Sequence, residues 1–245
     1  MRVTPEQSKA VLVTGGSRGI GRAIVARLLD DGFEVFNFSR GAPQQALPGE
    51  TFVSVDLSQS AVLVQAVADL VRDRPVLNLV NNAGMIQVNA IEDVTDAAFH
   101  STIDLNMIAP LKLLQGVLPA MRAHGYGRVV NIGSRSALGK PGRTTYGATK
   151  AALAGMTRTW ALELAAQGIT VNTVAPGPVT TELFDASNPA GSDSRTKLEA
   201  QIPVGRIGAP EEVAHWVATL LDPRASFMTG QVLHVCGGMT VGMAV

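Results

Sequence analysis

Cysteine is almost absent from this chain. The single Cys236 excludes an internal disulfide and a cysteine-based metal cluster. The four histidines, His100, His124, His215 and His234, are scattered without metal-ligand spacing, so no metal site is expected. Charge of one sign is also missing. With 20 basic and 20 acidic residues the net charge is zero, which leaves no electrostatic footprint for nucleic acid or an anionic membrane. No apolar run approaches the length of a membrane span, and the first ten residues lack the apolar core of a signal peptide. The expected location is therefore the cytoplasm. Aromatic residues make up 4% of the chain against 46% hydrophobic overall, so Gly, Ala and Val dominate. Small side chains of that kind suit helices packed closely on a sheet. A length of 245 residues suits one α/β domain, 1–245, with a full core.

Alternating strand and helix signals run along the whole chain. Residues 10–14 (A-V-L-V-T) read as a buried strand leading into Gly15-Gly16-Ser17-Arg18-Gly19-Ile20-Gly21, and a helical pattern follows over 22–31. Strand, glycine turn and helix form the context of a dinucleotide fingerprint. The glycines let the backbone approach a pyrophosphate, and the helix N-terminus offers N–H donors. The spacing is Gly15-x3-Gly19-x-Gly21 rather than G-x-G-x-x-G, so a bare turn is the competing reading. The second strand, 33–38, ends in Ser39-Arg40 and carries no acidic residue there. An acid at that point grips a ribose 2′-hydroxyl, whereas arginine suits a 2′-phosphate. Arg40 with Arg18 thus favours NADP(H), with NAD(H) as the alternative cofactor and two solvated arginines as the plain one.

Pro43 and Pro48 forbid a full helix over 41–50, so a loop should join the third strand at 51–55. Asp56 closes that strand and either bonds an adenine edge or, like Ser58, caps the next helix at 60–72. The fourth strand, 75–80, runs into Asn81-Asn82-Ala83-Gly84, where small residues leave room for a ribose and the asparagines can pin the sheet. A long helix is expected over 96–122 with Asn106 inside an apolar stretch. A buried amide there either satisfies a local carbonyl or holds a water in a proton path. Strands at 128–132, 169–174 and 231–235 and a helix at 211–221 complete the pattern, and 182–202 reads as a polar lid over a site.

The chemistry concentrates in residues 134–150. Tyr146 and Lys150 lie four apart at the start of a helix expected over 148–166, hence on one face. A phenol titrates near ~10, and serving as acid or base near neutrality takes a fall of about 3 units, roughly 4 kcal/mol. A neighbouring ammonium supplies part of that. Ser134, on the glycine-rich turn after the fifth strand, is placed to offer a hydroxyl to a substrate oxygen, with Ser136 as a competitor. An isolated Y-x-x-x-K is also a common solvated helix face. The surrounding apolar residues Met85, Ile86, Leu138, Pro178 and Phe184 suit a hydrophobic ketone or thioester, and Arg135 is a possible anion contact.

Taken together, T-G-x-x-x-G-x-G at 14–21, Asp56, N-N-A-G at 81–84, Asn106, Ser134, Y-x-x-x-K at 146–150 and P-G-x-V-x-T at 176–181 resemble the short-chain dehydrogenase/reductase family over essentially the whole chain. The resemblance implies a Rossmann-type doubly wound, mostly parallel seven-stranded sheet with helices on both faces. It implies Asn106, Ser134, Tyr146 and Lys150 as the catalytic set, with Tyr146 the proton donor, Lys150 lowering its pKa and Asn106 supporting a water. For the cofactor it implies Gly15, Ser17, Arg18, Gly19, Ile20, Gly21, Ser39, Arg40, Asp56, Leu57, Asn82, Ala83, Gly84, Tyr146, Lys150, Pro176, Gly177, Val179 and Thr181. A small carbonyl or alcohol substrate and a homotetramer or dimer, pairing the helices near 100–122 and 148–166, also follow from it.

Within the family the likeness is to 3-oxoacyl-[acyl-carrier-protein] reductases. A 3-oxoacyl thioester and an acyl carrier protein are thereby a candidate substrate and partner, with Arg122, Arg128 and Arg158 as docking cations. General ketone reduction and nucleotide sensing on the same fold are the alternatives. Two departures stand out: the Ser134-to-Tyr146 segment is one residue shorter than the usual family spacing, and the helix between the second and third strands is missing.

Overall fold

The computed structural model describes residues 9–241. Seven strands form one sheet: β1 (Ala10–Thr14), β2 (Glu34–Ser39), β3 (Glu50–Ser54), β4 (Asn78–Asn81), β5 (Gly127–Ile132), β6 (Ile169–Pro176) and β7 (Val232–Val235). Their spatial order is β3-β2-β1-β4-β5-β6-β7, and every pairing is parallel. The order reverses between β1 and β4, and in open sheets of this kind ligands bind beyond the carboxyl ends of the strands at that reversal.

Parallel strands covered on both faces need apolar side chains on both, and the alternation shows which way each points. Leu12 and Val129 face one layer, with α2 (Ser60–Asp73), α4 (Ala109–His124) and α5 (Thr144–Leu164). Val11, Val13 and Val130 face the other, with α1 (Gly19–Asp30) and α8 (Pro210–Leu221). All five of these strand side chains are at most 1% exposed. A third helix, α3 (Asp96–Ile103), precedes α4, while α6 (Glu182–Ser187) and α7 (Asp193–Ala200) lie between β6 and α8.

The long helix expected over 96–122 is continuous in direction but not in winding. Between α3 and α4, Asp104–Ile108 widens to π geometry. Such widened turns inside α-helices frequently mark functional sites. Segment 182–202, expected as a lid, is two short helices. Arg195 pins them, bonding Asp185 Oδ1 at 2.8 Å and Glu199 Oε1 at 3.3 Å.

No helix joins β2 to β3, as the prolines require. An ionic network fills that wall instead. Glu50, whose side chain is 1% exposed, accepts two bonds from Arg22 Nη1 at 2.7 and 2.8 Å, one from Asn37 Nδ2 at 2.8 Å and one from the Leu47 N–H at 3.2 Å. A buried carboxylate so completely partnered is held in place, whereas losing one partner would leave a charge uncompensated. The chain's apolar C-terminal run, M-T-V-G-M-A-V at 239–245, reads as a segment that packs on a neighbour or beside a site, and it lies outside the described residues from 242 onward.

Candidate active site

Gly15, directly after β1, has φ +68°, a left-handed conformation that glycine adopts without strain. A Cβ on Gly21 would sit 2.0 Å from the Gly15 carbonyl oxygen, so the first turn of α1 closes on the loop only with glycine there. Thr14 organises the crossing to β4. Its Oγ1 accepts the N–H groups of Asn82 and Ala83, each at 3.0 Å, while Asn82 Nδ2 donates to the carbonyls of Thr14 and Gly15 at 2.9 and 3.1 Å. The loop is also tied from β2, where Asn37 Oδ1 accepts the Gly16 N–H at 3.0 Å and Asn37 Nδ2 bonds Glu50. Among the described residues no side chain caps α1. The cradle thus fits a dinucleotide pyrophosphate: close backbone, free N–H donors and the positive end of a helix.

The expected cofactor residues are distributed unevenly. Arg18 and Arg40 are exposed at the rim and join no ion pair among the described residues. Ser17 Oγ donates to the Gly41 carbonyl at 2.7 Å. Ser39 differs from expectation. It is buried, and its hydroxyl donates to Asn37 Oδ1 at 2.7 Å, which turns it inward from the rim.

Asp56 neither caps α2 nor stands free. Its Oδ1 accepts both the N–H and the hydroxyl of Ser58, at 3.0 and 2.7 Å, and these bonds hold its carboxyl below the usual range. Leu57 points into the core at 5% exposure, so only its backbone is left for a ligand. Ile20 is half-buried in the first turn of α1.

At the far end, Gly177 donates to the Val235 carbonyl. Val179 bridges Gly208 through the Pro178 oxygen and the Thr180 N–H, and strand alternation turns Val179's own N–H and C=O the other way. Thr181 Oγ1 accepts the Phe184 N–H at 3.2 Å, capping α6, and Gly19 lies close to the Thr181 methyl group. Pro176 ends β6.

Helix α5 begins at Thr144, four residues earlier than the sequence pattern indicates, so Tyr146 lies within its first turn. The buried face of α5 changes character along its length. Thr145, Thr149 and Lys150 occupy the end at the carboxyl edge of the sheet, whereas Trp160, Ala161 and Leu164 occupy the other. A polar stretch of buried helix face needs partners, and Lys150 and Thr149 both have them. Lys150 Nζ donates to the Ile132 carbonyl, the last residue of β5, at 2.7 Å. Thr149 Oγ1 donates to the Tyr146 carbonyl and accepts from Asn106 Nδ2, both at 3.0 Å. Farther in, Asn81, Asn131, Thr157 and Thr173 link β4, β5, α5 and β6 in a chain of buried bonds at 2.8 Å each.

The structure brings Asn106, Ser134, Tyr146 and Lys150 together. The Ser134 hydroxyl lies close enough to the Tyr146 phenol to act on its ionisation. Lys150 Nζ stands 5.7 Å from the Tyr146 ring centroid. A Cβ on Gly84 would fall 3.3 Å from Asn106 Oδ1 and 3.4 Å from Lys150 Nζ, so the glycine makes room between them. Ser134, not Ser136, acts on the phenol; Ser136 is 7% exposed and its N–H donates to Ser134 Oγ at 3.1 Å. Asn106 resolves as a strut: its Oδ1 accepts the Met85 N–H at 2.9 Å and its Nδ2 also donates to the Met85 carbonyl at 3.1 Å. It bonds neither its own helix nor Lys150 directly.

The electrostatics correct one expectation. Desolvation raises the Tyr146 phenol above its ordinary range, opposed by the Ser134 hydroxyl and by the positive charge of Arg143. Lys150 is not what lowers it here; burial pulls the lysine itself down to about 8. A phenol held protonated is an acid. Residues that the sequence pattern did not single out are Arg22, Asn37, Glu50 and Thr149. Asn37 does carry a signal, as a polar side chain set between Phe36 and Phe38 in the middle of a strand.

A family model described as enoyl-(acyl carrier protein) reductase matches residues 15–240. The chain is 36% identical over 241 residues to the 3-oxoacyl-[acyl-carrier-protein] reductase of Vibrio harveyi, covering 95% of this chain and 98% of the relative. The chain belongs to the short-chain dehydrogenase/reductase family. As a short-chain dehydrogenase/reductase it is an NAD(P)-dependent oxidoreductase. Among solved members, it is 32% identical to a candidate NAD(P)-dependent gluconate 5-dehydrogenase of Beutenbergia cavernae with NADP at low occupancy, with a TM-score of 0.87 over 96% of this chain and 97% of that one. It is 35% identical to a blue fluorescent protein from a metagenomic library in complex with NADPH, with a TM-score of 0.83 over 94% and 97%.

Proposed function

We propose that this short-chain dehydrogenase/reductase reduces a ketone to a secondary alcohol with NADP(H). The observation that carries the reading is the Ser134–Tyr146 hydroxyl pair beside the buried ammonium of Lys150. Two hydroxyls converging beside the cleft can meet one substrate oxygen, whereas reduction of a carbon–carbon double bond, the activity in the family model's description, offers no oxygen at the reacting carbon. Two of the three relatives are named for different molecules, a 3-oxoacyl thioester and gluconate, but both names imply chemistry at a C=O/CH–OH carbon. Cofactor choice rests on the unpaired rim guanidiniums of Arg18 and Arg40, which suit a 2′-phosphate, and on the NADP and NADPH bound by the two solved relatives.

The bound nucleotide would supply the hydride. Ser134 would hold the carbonyl oxygen by a hydrogen bond, and Tyr146 would donate its proton there as the oxygen becomes an alkoxide, a far stronger base than a phenolate. Lys150 would hold the nicotinamide ribose, and the positive charge of Arg143 would help stabilise the phenolate left behind. Asn106, through Met85 and Thr149, would fix the wall facing Lys150. Val179 and Thr181 would orient the nicotinamide carboxamide.

Of the three cations expected to dock a carrier protein, one is not available. Arg128, an expected docking cation, is 3% exposed and spends its guanidinium on the Gly127, Gly168 and Pro223 carbonyls. Arg122 bonds Gln167 Oε1 at 2.9 Å. The test follows NADPH and NADH oxidation separately against acetoacetyl thioesters and simple ketones. NADPH-linked turnover supports the reading; nucleotide binding without turnover of any carbonyl contradicts it.

A further inference from the structure

The first turn of α5 carries Tyr146, yet little in its own sequence fixes it. Among the described residues no side chain caps this 21-residue helix, so its first N–H groups find no partner there. Gly147 follows Tyr146 directly, and glycine weakens a helix. The glycine has a reason: a Cβ on it would fall 3.0 Å from the Ser136 carbonyl oxygen, so its absence lets the loop after β5 press onto this turn. A turn weakened in this way is a poor mount for an acid, because misplacing a reacting group by about 1 Å can cost on the order of 10²-fold in rate.

Thr149 supplies the missing restraint. It is 1% exposed. Its hydroxyl donates to the Tyr146 carbonyl, three residues back, and accepts from Asn106 Nδ2, both at 3.0 Å. Threonine back-bonds readily to a carbonyl at that spacing. The first bond ends on the main chain of Tyr146 itself. The second crosses to the widened turn at Asp104–Ile108, where Asn106 holds both the N–H and the carbonyl of Met85. A continuous line of hydrogen bonds thus runs from the loop after β4, through Asn106 and Thr149, to the residue that carries the phenol. The Lys150 side chain is anchored elsewhere, on the Ile132 carbonyl at the end of β5. The two members of the pair therefore take their places from different strands, and Thr149 is the joint on the tyrosine side.

We infer that Thr149 is a positioning residue, whose hydroxyl locks the main chain of Tyr146 to Asn106 and so keeps the phenol in register with Ser134 and Lys150. The inference deepens the proposed ketone reduction and rests on it for the identity of the acid.

Two substitutions separate the hydroxyl from the bulk of the side chain. Thr149→Val keeps the volume and removes both bonds, whereas Thr149→Ser keeps both bonds and loses only the methyl group. Hydrogen exchange of the amides at 147–150 is followed on the full chain with saturating NADP⁺, and NADPH oxidation is followed with an acetoacetyl thioester. In Thr149→Val these amides should exchange about tenfold faster with the second half of α5 unchanged, and kcat should fall about tenfold with NADPH affinity retained. Thr149→Ser should stay close to the wild type in exchange, kcat and affinity. Thr149→Ala, which leaves a space beside Asn106 rather than an apolar group, is run in parallel and carries the same expectation as valine if the valine variant does not fold. Unchanged exchange or unchanged kcat without the hydroxyl, or a serine variant as impaired as the valine one, overturns the role. Failure of the ketone-reductase reading would show separately: the wild type would oxidise no NADPH with any ketone, while the exchange contrast between valine and serine variants would remain.

Discussion

Lys150 Nζ donates to the Ile132 carbonyl oxygen at 2.7 Å, tying the start of α5 to the last residue of β5. Burial draws this ammonium down to about 8, so at neutral pH the folded protein carries a charge that costs stability. The residue is retained at that cost where it faces Tyr146, which places it among functional rather than structural lysines.

Lys150→Met should therefore raise stability while removing activity. A shift from 10.5 to about 8 corresponds to about 3 kcal/mol, of which about 1 kcal/mol is offset by the lost hydrogen bond. The net gain, about 2 kcal/mol, should appear near pH 7 as a Tm rise of about 4–8 °C. The pH dependence has a definite sign. Between about 8 and 10.5 the unfolded lysine holds a proton that the folded one has lost, so this group makes wild-type stability rise with pH in that window, and the variant lacks the rise. Denaturant titrations at pH 7 and 10 measure both.

Asn106→Leu should destabilise. It leaves the Met85 N–H and C=O and the Thr149 hydroxyl without their partner, and unmade buried bonds cost about 1–3 kcal/mol each. We expect a loss of about 2–4 kcal/mol in urea unfolding, together with lower kcat. A variant as stable as the wild type would show that the π turn does not depend on this amide.

Asn37→Ala should weaken nucleotide binding beyond its effect on folding. Asn37 is the link between the Gly16 N–H and Glu50, so its loss frees the glycine loop from β2. Fluorescence titration with NADPH should give a Kd raised about tenfold, roughly 1.4 kcal/mol. An unchanged Kd would make the network merely a wall filler.

Arg40→Asp should move cofactor preference from NADPH toward NADH. An acid at the end of β2 suits a ribose 2′-hydroxyl and repels a 2′-phosphate. The ratio of kcat/KM for the two nucleotides should fall by about 10- to 100-fold, on the order of 1.4–3 kcal/mol. A ratio that does not move assigns the phosphate to Arg18 alone.

The sheet was legible from the sequence because parallel strands buried on both faces are short apolar runs, as at Val11–Leu12–Val13 and Val129–Val130, and because the glycine loop follows the first of them. Asn106, Ser134, Tyr146 and Lys150 were legible as residue types at positions. Their bonding was not. The widened turn at Asp104–Ile108 accompanies an amide that reaches Met85, 21 residues upstream, and no local propensity encodes such a contact. Glu50 read as the end of a loop; only the fold reveals that Arg22 and Asn37 enclose it. Ser39 and Arg128 read as exposed ligand contacts, yet each is buried and already partnered. Sequence position does not show which way a polar side chain turns at the end of a strand.

We propose Tyr146 as the acid that protonates the substrate oxygen. The most direct measurement is the rate of NADPH oxidation with an acetoacetyl thioester by the wild type and by Tyr146→Phe, with NADPH affinity measured alongside. If Tyr146 donates the proton, kcat should fall by about 10²- to 10⁴-fold with nucleotide binding retained. Turnover in Tyr146→Phe within a few-fold of the wild type would contradict it and return the proton to another group.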